Sequence, residues 1–450
     1  MKRATLEATD ENILQSIKDQ TGTRRNTEII EFIEGLERIE GNMFISLDAR
    51  WGEGKTFYVQ QIEKTLEYHT LKKYGTDNNK DKYEMLKPYF ENTALRDIKL
   101  TGSYLPVYYN AWLYDNHSDP LMSLLYVIVK KCGIWIDSKL MKDKTEKLKD
   151  LIKSVQVNLG IFSIGGDKVI DSFTEKNIFE DIQLAEDIRE KVKEIFNELI
   201  EEQAQKLVIF IDELDRCRPS YALEMLERIK HYFDDDRIIF VVSVNKEQLT
   251  HTISNYYGNG FDSTGYLNKF FDINAYLPEA EKRQLRFLSE YSDRSIFGVM
   301  ANMYVDYYKL SLRDALIYKE RLSIIDRSEN SGLIEDDSIK GVCISVFIPL
   351  IVILDMKDIK EKTRFINGES KILEQMEEYQ ELKRVYRSLG WREPEEQCIL
   401  KGKAIIEAVY QYIFNNSREA LGTVELPAGE FKSNLKEQCM KLCGVIKDNR

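Results

Sequence analysis

A loop with two glycines, placed between a predicted strand and a predicted helix, restricts the fold of this chain more than any other feature. Residues 42–47 form a short apolar run typical of a buried parallel strand, and residues 57–64 carry apolar side chains at helical spacing. The segment between them reads Ala49-Arg50-Trp51-Gly52-Glu53-Gly54-Lys55-Thr56. A strand, a glycine loop that ends in Lys-Thr, and a helix together predict a phosphate-binding loop.

The residue types of this loop suit a bound anion. Gly52 and Gly54 allow backbone conformations in which successive N–H groups point inward around a phosphate, and the following helix N-terminus adds partial positive charge. We expect Lys55 to bridge the β- and γ-phosphates and the Thr56 hydroxyl to ligate Mg²⁺. The predicted nucleotide-binding residues are Trp51, Gly52, Glu53, Gly54, Lys55, Thr56 and Phe57. Ala49 stands where the usual pattern begins with glycine, and the alternative is a chance Gly-Lys-Thr in a surface turn.

A second apolar strand ends in carboxylates. Residues 206–212 consist of a lysine, five apolar residues and Asp212, and Glu213 follows directly. Ligands of open α/β sheets bind at the carboxyl ends of the strands. We therefore expect Asp212 to hold Mg²⁺ and Glu213 to polarise the attacking water. The alternative is that Glu213 and Asp215 only form ion pairs with the arginines that follow them.

Two arginines and an amide extend this predicted site. Arg216 and Arg218 are each able to sense phosphate, orient the glutamate or contact a neighbouring subunit, and a structural salt bridge is the alternative for both. Asn245 ends a further apolar strand, residues 237–244, where an amide would contact the γ-phosphate or the attacking water. Gln248 stands where many GTPases carry the aspartate that reads guanine, so ATP is favoured over GTP. The predicted catalytic residues are Lys55, Glu213, Asn245 and Arg216.

Two more strand patterns complete a predicted sheet. Residues 105–109 and 271–276 are short apolar runs, which gives about five strands that alternate with helical segments. Such alternation predicts an α/β fold with a parallel sheet flanked by helices. One of these strands, residues 105–109, lies along the chain between the lysine loop and the carboxylate strand. We expect an inserted strand to separate the two motifs, as in the additional-strand, catalytic-glutamate class of P-loop NTPases.

The chain resembles the KAP P-loop NTPases in four blocks that occur in the family's order. The blocks are residues 51–56, 109–114, 211–217 and 266–271. The block around Asn110-Ala111-Trp112 is the most discriminating, because the other motifs recur across many NTPases. We expect Asn110 to end the second strand and the buried indole of Trp112 to anchor that end.

The resemblance implies an ATP-driven switch or assembly protein that uses ATP and Mg²⁺. It carries phosphate binding over to Lys55 and Thr56, and metal and water chemistry to Asp212 and Glu213. It also implies roles for Asp215 and Arg216, without saying which. Several bacterial members are associated with exclusion of phage or plasmids, often beside a separate effector, which implies a role in antiviral defence with a partner protein. Many relatives also carry transmembrane helices between the two Walker motifs, and none is expected here.

The predicted domains are a nucleotide-binding domain over residues 1–280 and an all-helical accessory domain over residues 281–450. The first contains an insertion of about residues 137–205, with a small hairpin or an ordered loop predicted at residues 155–166 and a helix predicted at residues 178–200. An accessory domain of this kind can act as a lid, bind a partner or relay the nucleotide state.

Composition restricts the partners and the compartment. The net charge of −12 argues against binding of nucleic acid over the whole surface. The lysines of residues 139–153 alternate with acidic residues, as on a solvated helix face. Nucleic acid therefore stays an open but unsupported partner. Six cysteines without a framework spacing and an N-terminus without a signal peptide predict a cytoplasmic protein. The longest apolar run, residues 342–354 with Pro349, is too short to cross a membrane and predicts a buried core helix. The alternative is a hairpin that touches a membrane.

Three functions remain open from the sequence. The first is an ATP-hydrolysing switch, and the second is a scaffold that ATP stabilises with little turnover. The third is a small-molecule kinase, which the carboxylate pair disfavours because it suits water as the nucleophile. A homo-oligomer is expected, because an arginine supplied in trans commonly completes such sites.

Overall fold

The computed structural model divides the chain into two units between Glu279 and Ala280. The structure describes residues 7–19, 24–74, 80–117, 119–133, 190, 193, 205–258, 260–277, 296–327, 339–389 and 394–415. The hairpin or loop predicted at residues 155–166, the lysine-rich segment 139–153 and nearly all of the helix predicted at residues 178–200 lie outside these ranges. The predicted domain boundary at residue 280 stays a prediction.

Five parallel strands form the sheet of the first unit. They are β1 (Met43–Asp48), β2 (Tyr104–Asn110), β3 (Lys206–Asp212), β4 (Ile238–Val244) and β5 (Ile273–Tyr276). Strands β3 and β4 are almost wholly buried, as expected for continuous apolar runs covered by helices on both faces. The predicted α/β fold with a five-stranded parallel sheet is confirmed.

The order of the strands is β2-β3-β4-β1-β5. One strand separates β1 from β3, as the additional-strand class requires, but this strand is β4. The strand that lies between the two motifs along the chain, β2, is the outermost of the five described strands and pairs with β3. Parallel strands are joined by long crossovers, which let the chain pass over neighbouring positions. Adjacency along the chain therefore did not indicate adjacency in the sheet.

Helices flank the sheet in the first unit. They are α1 (Asp10–Asp19), α2 (Arg24–Glu37), α3 (Lys55–Tyr74), α4 (Lys80–Phe90), α5 (Ala111–Tyr114), α6 (Pro120–Gly133), α7 (Pro219–Tyr232), α8 (Lys246–Tyr257) and α9 (Ser263–Asn268). Helix α3 begins immediately after the glycine loop and packs against β2. Side chains cap the helices that follow two of the strands: Asn110 accepts from the Leu113 N–H at the start of α5, and Asn245 accepts from the Gln248 N–H at the start of α8.

The described residues of the second unit form helices joined by turns, with no strand among them. The helices are α10 (Ile296–Tyr307), α11 (Leu312–Arg327), α12 (Ile339–Val342), α13 (Ile348–Lys357), α14 (Ile359–Ile366), α15 (Ile372–Gln375), α16 (Gln380–Leu389) and α17 (Glu395–Asn415). This agrees with the all-helical character predicted for residues 281–450. Within the described ranges of the whole chain, no helix has the length and apolar character needed to cross a membrane.

The apolar run at residues 342–354 forms the buried centre of the second unit, as predicted. A five-residue π-helix, Cys343–Phe347, joins α12 to α13, and Pro349 stands in the first turn of α13. A proline lacks the N–H that a continuous helix would use, and its ring crowds the preceding turn. A π-turn before the proline accommodates this change within one helical segment. Two buried tyrosines donate to carbonyls of this segment: Tyr304 to Val346 and Tyr318 to Pro349, each at 3.0 Å.

A buried cluster of charged side chains ties helices α3, α4 and α6 together. Glu67 of α3 accepts from Lys82 of α4 at 2.6 Å and lies 2.9 Å from Lys131 of α6, which also donates to Glu63 at 2.6 Å. Burial works to raise the pKa of Glu67, but the charges of Lys131, Lys82 and Lys64 outweigh it and hold the pKa below its ordinary value. Glu67 is therefore ionised, and its charge joins three helices.

We expect Glu67→Gln to lower the free energy of unfolding by about 3 kcal/mol at pH 7, because it leaves buried cations with fewer counter-charges. The folded-state pKa is depressed, so this stabilisation is present above the ordinary value of 4.5 and is lost as the pH falls through the folded-state value. Urea denaturation of the full chain between pH 7 and pH 3 measures both effects.

The matched control is Glu84→Gln, which removes an exposed ion pair with Lys87 and should cost less than about 1 kcal/mol. Equal losses in the two variants, or a loss for Glu67→Gln that does not shrink in acid, would contradict this assignment.

Candidate functional site

The glycine loop connects β1 to α3 in the conformation expected of a phosphate-binding loop. Gly52 has φ 84° and Gly54 has φ 90°, values that side chains disfavour. A Cβ atom built on Gly54 would meet no atom within 4 Å. The backbone angle, and not lack of space, therefore demands glycine at this position.

Lys55 is buried in the first turn of α3, and its ammonium group turns back into the loop. The Nζ atom donates to the carbonyl oxygens of Ala49 at 2.6 Å and Arg50 at 3.2 Å. Burial lowers the pKa of Lys55, while the carboxylates of Asp215 and Asp212 act in the opposite direction. A buried ammonium group that donates its hydrogen bonds to neutral carbonyls fits a loop that receives an anion.

Thr56 links the loop to the end of β3. Its hydroxyl donates to Asp212 Oδ2 at 2.7 Å and approaches Glu213 Oε1 at 3.3 Å. Tyr108 of β2 donates to the same Asp212 oxygen at 3.1 Å. Burial and the charge of Asp212 raise the pKa of Tyr108, so the phenol keeps the proton that it donates. Sequence reasoning missed Tyr108, although its position two residues before the polar end of β2 was a usable signal.

The donor set around Thr56 and Asp212 fits a hard divalent cation. A hydroxyl and carboxylate oxygens are ligands that Mg²⁺ accepts, and Mg²⁺ usually completes its shell with water and phosphate oxygens. Across the described ranges, no three His, Cys, Asp or Glu side chains gather in a metal-binding group. Thr56 and Asp212 supply a hydroxyl and a carboxylate, which leave positions that water and phosphate oxygens would fill.

Glu213 follows β3 in a left-handed backbone conformation, with φ 63°, which is uncommon for a residue with a side chain. One carboxylate oxygen pairs with the Arg216 guanidinium, and the other faces Thr56. Burial and the neighbouring Asp212 raise the pKa of Glu213, and Arg216 opposes this. The ion pair that the sequence left as an alternative is formed between these two residues.

Two tryptophans contact the short helical turn Leu214–Arg216 that follows Glu213. The Trp51 indole N–H donates to the Asp215 carboxylate, and the Arg216 guanidinium lies 5.7 Å from the centre of the Trp112 ring. The expectation that Trp112 is buried was wrong, since its side chain is 54% exposed. Ala111, one position earlier, takes the buried place at the start of α5, and the indole is directed away from the core.

The remaining predicted site residues have structural contacts. Asn245 is buried at the end of β4 and caps α8. Arg218 forms a structural contact with Asp115, to which both its backbone N–H and its guanidinium donate. Glu53 accepts from the Arg50 N–H at 3.0 Å within the loop, and Phe57 is half-buried in the first turn of α3.

We expect Gly54→Ala to lower the free energy of unfolding by about 1–2 kcal/mol, because its added methyl group has space but the backbone has positive φ. Gly35→Ala in α2 is the matched control, since its Cβ also meets open space but its backbone is helical. That variant should gain about 0.5–1 kcal/mol. Thermal and urea unfolding of both variants test this contrast, and a loss that is equal in the two would contradict it.

Comparison with known proteins agrees with this geometry. The chain matches the KAP family P-loop domain over residues 25–309, which spans all five strands. It is also 31% identical over 163 residues to an uncharacterized protein of Methanocaldococcus jannaschii, an alignment that covers 28% of this chain and 82% of that relative. The family match indicates a nucleotide-binding domain. With the glycine loop, the carboxylates of β3 and the sheet order in place, this chain belongs to the KAP family of P-loop NTPases.

Proposed function

We propose that the protein hydrolyses ATP with the help of Mg²⁺ at the site formed by Lys55, Thr56, Asp212 and Glu213. The observation that carries this proposal is the short contact of the Thr56 hydroxyl with Asp212, at 2.7 Å, and its approach to Glu213, at 3.3 Å. These contacts bring the residues suited to phosphate, metal and water into one small volume.

The loop would bind the triphosphate. The residues from Trp51 to Thr56 provide backbone N–H groups around a β-phosphate, with Phe57 continuing the helix behind them. Lys55 would exchange the carbonyls of Ala49 and Arg50 for phosphate oxygens, which neutralises its buried charge.

Thr56 and Asp212 are the residues that would hold Mg²⁺, through the threonine hydroxyl and the aspartate carboxylate. Bound Mg²⁺ supplies positive charge that offsets the charge of the phosphate oxygens. Tyr108 supports Asp212 from the neighbouring strand, because its hydroxyl fixes one carboxylate oxygen.

Glu213 would act as the base that takes a proton from the attacking water. Its ionised form is held by Arg216, which compensates the charge that Asp212 and Glu213 share. Asn245 ends the adjacent strand and would offer an amide to the γ-phosphate or the water. A carboxylate pair suits water as the nucleophile, which favours hydrolysis over transfer to a metabolite.

The hydrolysis would drive a switch or an assembly step, acting with a protein partner or effector. Association with other copies of this chain would supply an arginine in trans, and antiviral defence is the role that family membership suggests. Family membership supports these steps. The helical second unit is the part of the chain that would change with the bound nucleotide.

We expect Lys55→Ala to abolish Mg-ATP binding in calorimetry, because the loop loses the cation that faces the phosphates. Glu213→Gln should bind Mg-ATP with affinity near that of wild type, yet release phosphate about a hundredfold or more slowly. Lys72→Ala, an exposed lysine at the other end of α3, is the control and should match wild type in both assays.

Phosphate release at the wild-type rate in Glu213→Gln would exclude this residue as the base. Wild-type protein that binds Mg-ATP but releases no phosphate would instead support a scaffold that ATP stabilises.

Mass photometry with and without Mg-ATP tests association. We expect Mg-ATP to increase the mass of the particles in wild type and in Glu213→Gln, but not in Lys55→Ala, which cannot bind the nucleotide. A monomer at all ATP concentrations would contradict an oligomer that shares its sites.

A further inference from the structure

The turn Leu214–Arg216 is contacted by tryptophans from two other segments of the sheet edge. Trp51 belongs to the loop after β1, and Trp112 belongs to α5 after β2. The turn itself follows β3 and carries Asp215 and Arg216. Three strand ends therefore meet at this turn, directly beside the proposed base.

Trp51 contacts the turn through a polar group. Its indole N–H donates to the carboxylate of Asp215, a buried side chain. Trp51 is 46% exposed, so burial in the core does not by itself fix its indole. The hydrogen bond attaches this indole to the turn.

Trp112 contacts the turn through its ring face. The Arg216 guanidinium lies 5.7 Å from the ring centre, a distance at which a cation is attracted to the aromatic face. The ring is too exposed for a core role, and its neighbour Leu113 is 70% exposed. Trp112 of the Asn-Ala-Trp block therefore contacts Arg216 and does not pack in the core.

Arg216 connects the Trp112 ring to Glu213, because it contacts both. Its guanidinium pairs with the Glu213 carboxylate, while the ring of Trp112 limits where the guanidinium can lie. Trp51 holds Asp215, which directly precedes Arg216 in the turn. A displacement of the turn would therefore change the position of the Glu213 side chain.

We propose that Trp51 and Trp112 are positioning residues that hold the Leu214–Arg216 turn from two sides and, through Arg216, keep the Glu213 carboxylate in place for the water. The proposal rests on the proposed ATP hydrolysis and adds two residues that increase its rate. Neither tryptophan needs to touch the reacting atoms for this role.

Steady-state ATP hydrolysis by three variants tests the proposal. Trp112→Ala should lower kcat about two- to fivefold, as expected for loss of a half-exposed cation–π contact, with KM for Mg-ATP unchanged. Trp112→Phe keeps an aromatic face and should restore kcat. Leu113→Ala, the adjacent exposed apolar residue, is the control and should match wild type.

A double-mutant cycle separates positioning from a general structural effect. If Trp112 acts through Arg216, the double variant of Trp112→Ala and Arg216→Ala should have the same kcat as Arg216→Ala alone. Trp51→Phe, which keeps the ring but loses the N–H donor, should also lower kcat.

The outcomes distinguish the two proposals. If wild type hydrolyses ATP but Trp112→Ala leaves kcat unchanged, or if the effects of Trp112→Ala and Arg216→Ala multiply, the positioning role is overturned while the hydrolytic function stands. A fall in kcat that Trp112→Phe does not restore would overturn it as well. Wild-type protein without hydrolysis would overturn both.

Discussion

The hydrogen bond from the Thr56 hydroxyl to Asp212 joins the two halves of the site, and the remaining geometry depends on it. Thr56 lies in the helix that follows β1, whereas Asp212 ends β3, and these two strands are not neighbours, since β4 lies between them. Ser243 of β4 pairs in register with Leu47 on one side and with Asp212 on the other. This register brings the loop after β1 level with the end of β3, so a single threonine hydroxyl can span the gap.

Charge balance keeps this site compact. Asp212, Glu213 and Asp215 stand close together, and Lys55 and Arg216 are the cations that face them. Buried charges cost solvation free energy unless each has a partner in good geometry. Helix α3, which begins at Lys55, is itself held in place further along, because its Glu63 and Glu67 pair with Lys131 of α6. The loop is thus attached to a helix whose far half is also fixed.

Features that depend on local sequence were predicted well. The five strands, the glycine loop and the carboxylates that end β3 follow from short patterns of apolar residues and turn residues, and all are present. The buried segment at residues 342–354 was predicted for the same reason.

Features that depend on contacts between distant segments were not predicted. The choice of β4 as the inserted strand, the exposure of Trp112 and the bond from Tyr108 to Asp212 each require the relative position of elements far apart in the chain. Asn245 was predicted as a phosphate sensor from its place at the end of a strand. In the structure its side chain caps α8. An asparagine at the end of a strand is equally suited to capping a helix and to contacting a ligand, so the residue type alone does not distinguish the two.

A crystal structure of the protein with Mg²⁺ and a non-hydrolysable ATP analogue is the most direct test of the site. We expect the Lys55 ammonium to leave the carbonyls of Ala49 and Arg50 and contact the phosphates, with Mg²⁺ beside the Thr56 hydroxyl. An analogue bound away from the glycine loop, with Lys55 still on those carbonyls, would contradict a nucleotide site built on the contact of Thr56 with Asp212.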